Sequence, residues 1–182
     1  MTAEVGVPPA RGGVRDRRMT WDEYQALGED VRGEYIDGCL HVTPRPTYEH
    51  QQVARRLTNL LEAAGLLAVQ EWAWKPGPHE YHPDVMVLPG RPDPASPNRF
   101  LGVPDLVVEV LSPSNVTDDT IRKRRDYARA GCPRYWIFGP EQRTLWAFAL
   151  RGGSYEQVAE ITGAGVVPGT PEIDVDVDAL LA

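Results

Sequence analysis

Cysteine is nearly absent from this sequence: Cys39 and Cys132 are the only two, they lie far apart, and neither belongs to a CxxC pair. That excludes a disulfide framework and a zinc knuckle, and both residues read as small buried thiols. No apolar run approaches the roughly 20 residues of a membrane span, and the N-terminus lacks an apolar signal segment. The expectation is a soluble, cytoplasmic protein with no membrane partner. Positive charge is also short. A net charge of -7 argues against coating nucleic acid through bulk electrostatics, so any such contact must be local. Two basic clusters are available for it: Arg11, Arg15, Arg17 and Arg18, then Arg122, Lys123, Arg124, Arg125 and Arg129. Each also reads as a solvated tail or helix face. What the sequence does have is 42% hydrophobic residues over 182 positions, enough for one sizeable core and one domain.

Residues 1–18 carry Pro8-Pro9, Gly12-Gly13 and no apolar period, which predicts a flexible arm, with order beginning at Thr20 and a single domain over 19–182. Thr20-Trp-Asp-Glu23 fits a capping box that opens a short helix. Asp37-Gly38, between Glu34-Tyr-Ile and Cys-Leu-His-Val42, predicts a hairpin because that pair readily takes positive φ angles. Between Thr47 and Ala64, Val53, Leu57, Leu60, Leu61 and Ala64 recur at helical spacing, and Gly65 supplies the stop. Leu66 to Lys75 and His82 to Leu88 read as strands, and Pro89 to Asn98 as an exposed loop. Asp105 to Leu111 reads as a central strand covered on both faces. Asp118 to Ala130 reads as a helix closed by Gly131, and Arg134 to Phe138 as the parallel strand after it. Thr144 to Leu150 and Tyr155 to Ile161 form an expected hairpin, followed by an acidic tail. The sum is an α/β domain with a mixed sheet.

The chemistry is suggested by carboxylates inside apolar runs. Pro83-Asp84-Val-Met-Val and Pro104-Asp-Leu-Val-Val-Glu109-Val-Leu-Ser112 each put an acid where an ionised group is costly unless compensated. Strand alternation places Val107, Glu109 and Leu111 on one face, with Val108 and Val110 on the other. Should Asp84 sit beside Glu109 on a neighbouring strand, the two carboxylates and a backbone carbonyl, that of Val110, offer hard oxygen donors suited to Mg2+ or Mn2+. An arginine partner or an edge position would explain the same residues. His79-Glu-Tyr-His82 reads as ordinary exposed loop histidines. His50 either approaches the acids or merely caps its helix. Ser112 and Ser114 have no nucleophile elbow to support them. Trp72, Trp74, Trp136 and Trp146 alternate with apolar residues, which favours core or an oligomer surface over base stacking.

Four motifs in order, Glu34-Tyr-Ile-Asp-Gly, Pro83-Asp84, Val-Glu109-Val-Leu-Ser-Pro-Ser114 and Lys123-Arg-Arg-Asp-Tyr127-Ala-Arg-Ala-Gly-Cys-Pro-Arg-Tyr-Trp-Ile, resemble the Uma-type restriction endonuclease family, itself similar to the PD-(D/E)xK nuclease superfamily. The resemblance runs from about Met19 to the end. It implies a restriction-endonuclease-like mixed sheet flanked by helices, Asp84 and Glu109 as metal ligands, Glu34 as a further ligand or orienter, and Mg2+-dependent cleavage of DNA by a homodimer. One departure is plain: the lysine expected two residues after the acid is Leu111. The Uma-type pattern implies that Lys123, on the next helix and four residues before Tyr127, takes its catalytic place. Three other functions remain consistent with the sequence: a non-catalytic interaction module that keeps the fold, a hydrolase of a smaller phosphate ester, and a DNA-binding regulator that does not cleave.

Overall fold

The structure, a computed structural model, describes residues 17–28, 33–42, 45–112 and 118–182. Its elements in chain order are β1 (Arg17–Arg18), α1 (Trp21–Ala26), β2 (Glu34–Ile36), β3 (Cys39–His41), α2 (Tyr48–Ala63), β4 (Leu67–Gln70), β5 (Ala73–Trp74), β6 (Val85–Leu88), β7 (Arg99–Phe100), β8 (Leu106–Val110), α3 (Asp118–Arg129), β9 (Arg134–Gly139), β10 (Thr144–Arg151), β11 (Ser154–Ile161), β12 (Ala164–Val167), β13 (Ile173–Asp176) and α4 (Val177–Leu181). A six-stranded mixed sheet runs β11-β10-β9-β8-β6-β4, with β8 and β9 parallel around α3 and β6 antiparallel to β8. This is the expected α/β class.

Alternation along the central strands builds two cores. Val85 and Val87 of β6, with Val108 and Val110 of β8, face one side and pack with Val53, Leu57 and Leu61 of α2. Met86, Leu88 and Val107 face the other side and pack with Tyr127 of α3, Trp74, Tyr81 and Tyr135. Trp74 and Trp136 are fully buried core residues, as is Cys132, whereas Cys39 is half-buried. Thr47 caps α2 by accepting from the His50 amide at 3.3 Å, and Gly65 beyond its end takes φ +82°. Among the described residues no helix is long and apolar enough to cross a membrane.

The N-terminal unit is a three-stranded sheet ordered β1-β3-β2. The expected hairpin turn is present, with Asp37 at φ 50° and Gly38 at φ 74°. The Thr20–Glu23 capping box is complete. Arg17 and Arg18 depart from the expected arm: they pair with Leu40 and Cys39 as β1, because the exposed edge of β3 offers free backbone groups. Residues 1–16, including Arg11 and Arg15, and Ser114 lie outside the described residues.

Two further expectations change. The strand read over Leu66 to Lys75 is two strands, β4 and β5, broken where Glu71 takes the left-handed φ of 46°. The segment around His79 is not an exposed loop. Glu80 and Tyr81 form backbone bridges to Tyr35 and Trp74 and are buried. The Glu80 carboxylate accepts from the Tyr24 hydroxyl at 3.0 Å and from Arg99 Nε at 2.7 Å. Lys75 Nζ and the Arg99 guanidinium both lie over the Trp21 ring, 4.1 Å and 5.2 Å from its centre. These contacts bind the small N-terminal sheet to the body.

Leu57 is completely buried beneath the sheet, so Leu57→Ala is expected to lower unfolding stability by about 2–5 kcal/mol. Leu101→Ala, at a site 62% exposed, should stay within about 0.5 kcal/mol. Urea unfolding of both variants checks the assigned burial.

Candidate functional site

Five elements bring polar side chains to one place at the C-terminal end of β8. Pairing of Val85 with Val108 between antiparallel β6 and β8 carries Asp84, one residue before β6, opposite Glu109. Asp84 Oδ2 accepts the Val110 amide at 2.6 Å, which fixes the carboxylate across the two strands. From α3, Lys123 Nζ lies 2.9 Å from Glu34 Oε1 and 3.3 Å from Glu109 Oε2. One turn later the Tyr127 hydroxyl donates to Glu109 Oε1 at 2.7 Å. Glu34, the first residue of β2, also accepts the His82 amide at 3.2 Å. The four expected residues, Asp84, Glu109, Lys123 and Glu34, are therefore neighbours.

Lys123 and Glu34 are buried, so neither is the solvated surface residue that its sequence context also allowed. Three other cations of the second basic cluster have partners of their own. Arg124 lies over the Phe148 ring and donates to the Tyr155 carbonyl, while Arg125 and Arg129 approach Asp126. Asp126 in turn accepts from the Tyr81 hydroxyl at 2.7 Å.

The sequence left His50 undecided, and the structure places it in the site. The positions 50, 53, 54, 57 and 61 form one stripe of α2, whose last four members are buried against the sheet. The first therefore points inward. His50 Nε2 lies 3.2 Å from the Val110 carbonyl oxygen and 3.4 Å from Asp84 Oδ1. Tyr127 likewise gains a definite contact that the sequence suggested only by its spacing from Lys123.

The charges do not balance among these groups. Burial pushes the Glu109 carboxyl up to about 8, and the nearby Asp84 and Glu34 add repulsion that Lys123 and the Tyr127 hydrogen bond only partly offset. Burial opposes a charged His50 ring, yet its hydrogen bond to Asp84 and the surrounding negative charge hold it above the usual imidazole value. A site with surplus negative charge and hard oxygen donors fits a divalent cation. Among the described residues no three His, Cys, Asp or Glu side chains form a metal-holding group by themselves; the Val110 carbonyl oxygen is a further hard oxygen at the cluster, 3.2 Å from His50 Nε2.

The sequence matches the Uma2 family model, described as "Putative restriction endonuclease", over residues 21–178. The chain belongs to the Uma2 family. Its fold is similar to the crystal structure of a "putative nuclease belonging to DUF820" from Anabaena variabilis ATCC 29413, with a TM-score of 0.73 and 21% identity over 90% of this chain and 97% of that one. Among curated proteins no match is found. At this identity the Anabaena protein supports the mixed-sheet fold, and its match covers nearly all of this Uma2 chain.

The shifts have a consequence for stability without divalent ions. A carboxyl raised from 4.5 to about 8 binds more protons folded than unfolded within that window, so stability falls as pH rises through it. His50, also raised, loses its contribution as pH rises above 6.5, which has the same sign. Glu80 and Asp126 are lowered and act below the window. Thermal melting in chelator should therefore show a falling Tm between pH 5 and 8.5, with a shallower fall in Glu109→Gln, where the His50 contribution remains. A Tm that rises with pH in wild type would contradict the assigned burial of Glu109.

Proposed function

We propose that this Uma2 protein is a metal-dependent endonuclease that hydrolyses DNA phosphodiester bonds, with Asp84, Glu109 and the Val110 carbonyl holding Mg2+ or Mn2+. The observation that carries the reading is the buried Lys123 ammonium, held by Glu34 and Glu109 beside Asp84. A cation from α3 thus stands where Leu111 cannot supply one. When bound, a divalent ion would polarise the scissile phosphate and acidify a water molecule. The chain's own groups do the rest. Lys123 orients the attacking water and steadies negative charge that develops on the phosphate. Glu34 holds Lys123 from the side opposite Glu109, and Tyr127 fixes the rotamer of Glu109. The Val110 amide holds Asp84 Oδ2 at 2.6 Å, while Oδ1 faces His50 Nε2 at 3.4 Å.

The negative net charge confines DNA contact to local cations, for which Arg17 and Arg18, exposed on β1, are available. A two-fold dimer would present two such sites to the two strands. A non-catalytic module is the second reading, favoured by the pairing of Lys123 with two carboxylates, Glu34 and Glu109.

Cleavage of supercoiled plasmid by purified wild type and Glu109→Gln, in Mg2+, Mn2+ or chelator, tests the proposal. Wild type should nick only with metal, and Glu109→Gln and Lys123→Met should each lose at least about a hundredfold in rate, the scale of losing one charge-stabilising group. Absent cleavage, or equal cleavage by wild type and variant, would overturn the nuclease reading in favour of the non-catalytic module.

A further inference from the structure

We infer that a cavity beside the proposed cleavage site receives an unpaired nucleotide of the substrate strand, so that the substrate class is DNA with single-stranded character rather than intact duplex. The inference rests on the nuclease reading above and specifies which form of DNA that site takes.

The cavity, of about 470 Å³, lies where the last turns of α3 meet the segments that follow β5 and β7. Its size suits a small organic ligand. Two elements connect it to the acids. On α3, Lys123 stands at the site and Arg129 lines the cavity, and six residues of helix advance about 9 Å. On β2, Glu34 stands at the site, and the amide of Asp37, three residues on, donates to Nδ1 of His79, which also lines the cavity. That is about 10 Å of extended chain. A strand with one phosphate at Lys123 therefore reaches the cavity within a few nucleotides, at about 3.4 Å per stacked step.

The lining matches a nucleotide in both of its halves. Leu101 and Val103 are 62% and 43% exposed, and with Pro76 and Pro78 they offer apolar contact to a base. Lys75, Arg129 and His79 surround them with donors for a phosphate, on a chain whose net charge is -7. Lys75 Nζ is held by the Gly77 carbonyl oxygen at 2.5 Å and by the Trp21 ring, neither of which carries an opposing charge. Arg129 is exposed, and its acidic neighbour Asp126, 3.8 Å away, is already bound by the Tyr81 hydroxyl and Arg125. His79 accepts at Nδ1, so its Nε2 carries the proton and can donate.

The shape is built in advance. Trp74 Nε1 donates to the Gly102 carbonyl at 2.8 Å, a Cβ on Gly102 would meet the Phe100 ring at 2.6 Å, and the two prolines fix their own φ. Little ordering of the wall is left to oppose binding. A paired base stays inside its stack, so only an unpaired nucleotide can enter.

Fluorescence anisotropy of the full-length protein in chelator, which stops metal-dependent cleavage, provides the test. The probes are a labelled oligothymidylate of about 15 nucleotides and a duplex of the same length. Wild type should bind the single strand at least about tenfold more tightly. Leu101→Ser should weaken single-strand binding about fivefold and leave duplex binding unchanged. Arg129→Gln should lower the slope of log affinity against log salt on the single strand by about 0.7, the share of one phosphate. Both positions are exposed, and circular dichroism checks the fold. Independently of any variant, an oligonucleotide carrying 5-iodouracil should photocrosslink in wild type to residues 74–79 or 101–103. Equal affinity of wild type for the two probes, or a preference that both variants retain, overturns the cavity assignment. Thymidine 5′-monophosphate binding as tightly as the oligonucleotide would give the cavity to a free nucleotide and overturn it too. The nuclease reading is decided separately by plasmid nicking and its loss in Glu109→Gln. Nicking without single-strand preference overturns this inference alone, whereas absence of both nicking and DNA binding overturns the two together.

Discussion

One buried ammonium ties this molecule together. Lys123 bridges Glu34 of the N-terminal sheet and Glu109 of the central sheet, so three elements, β2, β8 and α3, meet at a single charge. Neither acid is stable there without it. Removing one partner from such a buried group typically costs about 3–5 kcal/mol, because the remaining charges are left uncompensated. Yet one cation cannot neutralise Glu34, Glu109 and Asp84 together. The fold therefore holds its central acid under strain, and that residual negative charge is what a divalent ion would relieve.

The contrast with Glu80 makes the point within the same chain. Glu80 is buried and Glu109 half-buried, but Glu80 has Arg99 and Tyr24 as direct donors and is held below the usual carboxylate range despite its burial. It bridges the small sheet to the body and needs nothing further. Glu109 is pushed upward first by desolvation, which Lys123 and the Tyr127 hydrogen bond oppose and to which the neighbouring Asp84 and Glu34 add repulsion. Two carboxylates of one chain thus shift in opposite directions because their surroundings differ.

The parts of the fold legible in the sequence are those fixed by local chemistry. Asp37-Gly38 makes its turn from its own φ preferences, Thr20 and Glu23 satisfy each other's neighbourhood, and the stripe of α2 repeats at 3.6 residues. Asp84 and Glu109 stood out because they interrupt apolar runs. What escaped depends on distant partners. The burial of Lys123, a residue expected only through the family resemblance, is one such feature, since Arg122, Arg124 and Arg125 around it disguise a buried cation as part of a solvated face. Glu80 and Tyr81 are ordered by backbone pairing with Tyr35 and Trp74, invisible in a segment flanked by proline and glycine. His50 carried a readable signal, since it begins the stripe that continues through Val53, Leu57 and Leu61, but a polar residue at the first turn of a helix also fits capping.

The transfer of the lysine from β8 to α3 has a physical logic. Leu111 packs against the aromatic core on the α3 side of the sheet, and its amide donates to the Phe138 carbonyl at 2.8 Å, extending the parallel pairing of β8 with β9. An ammonium at that position would be set among apolar rings, where desolvation is costly. Placed on α3, it reaches the acids along a four-carbon stem while Tyr127, one turn on, anchors the helix by packing on Trp74, Tyr81 and Tyr135. The same tyrosine hydroxyl holds Glu109. The helix register that buries the Tyr127 ring is thus the register that aims Lys123, and core packing and site geometry become one constraint rather than two.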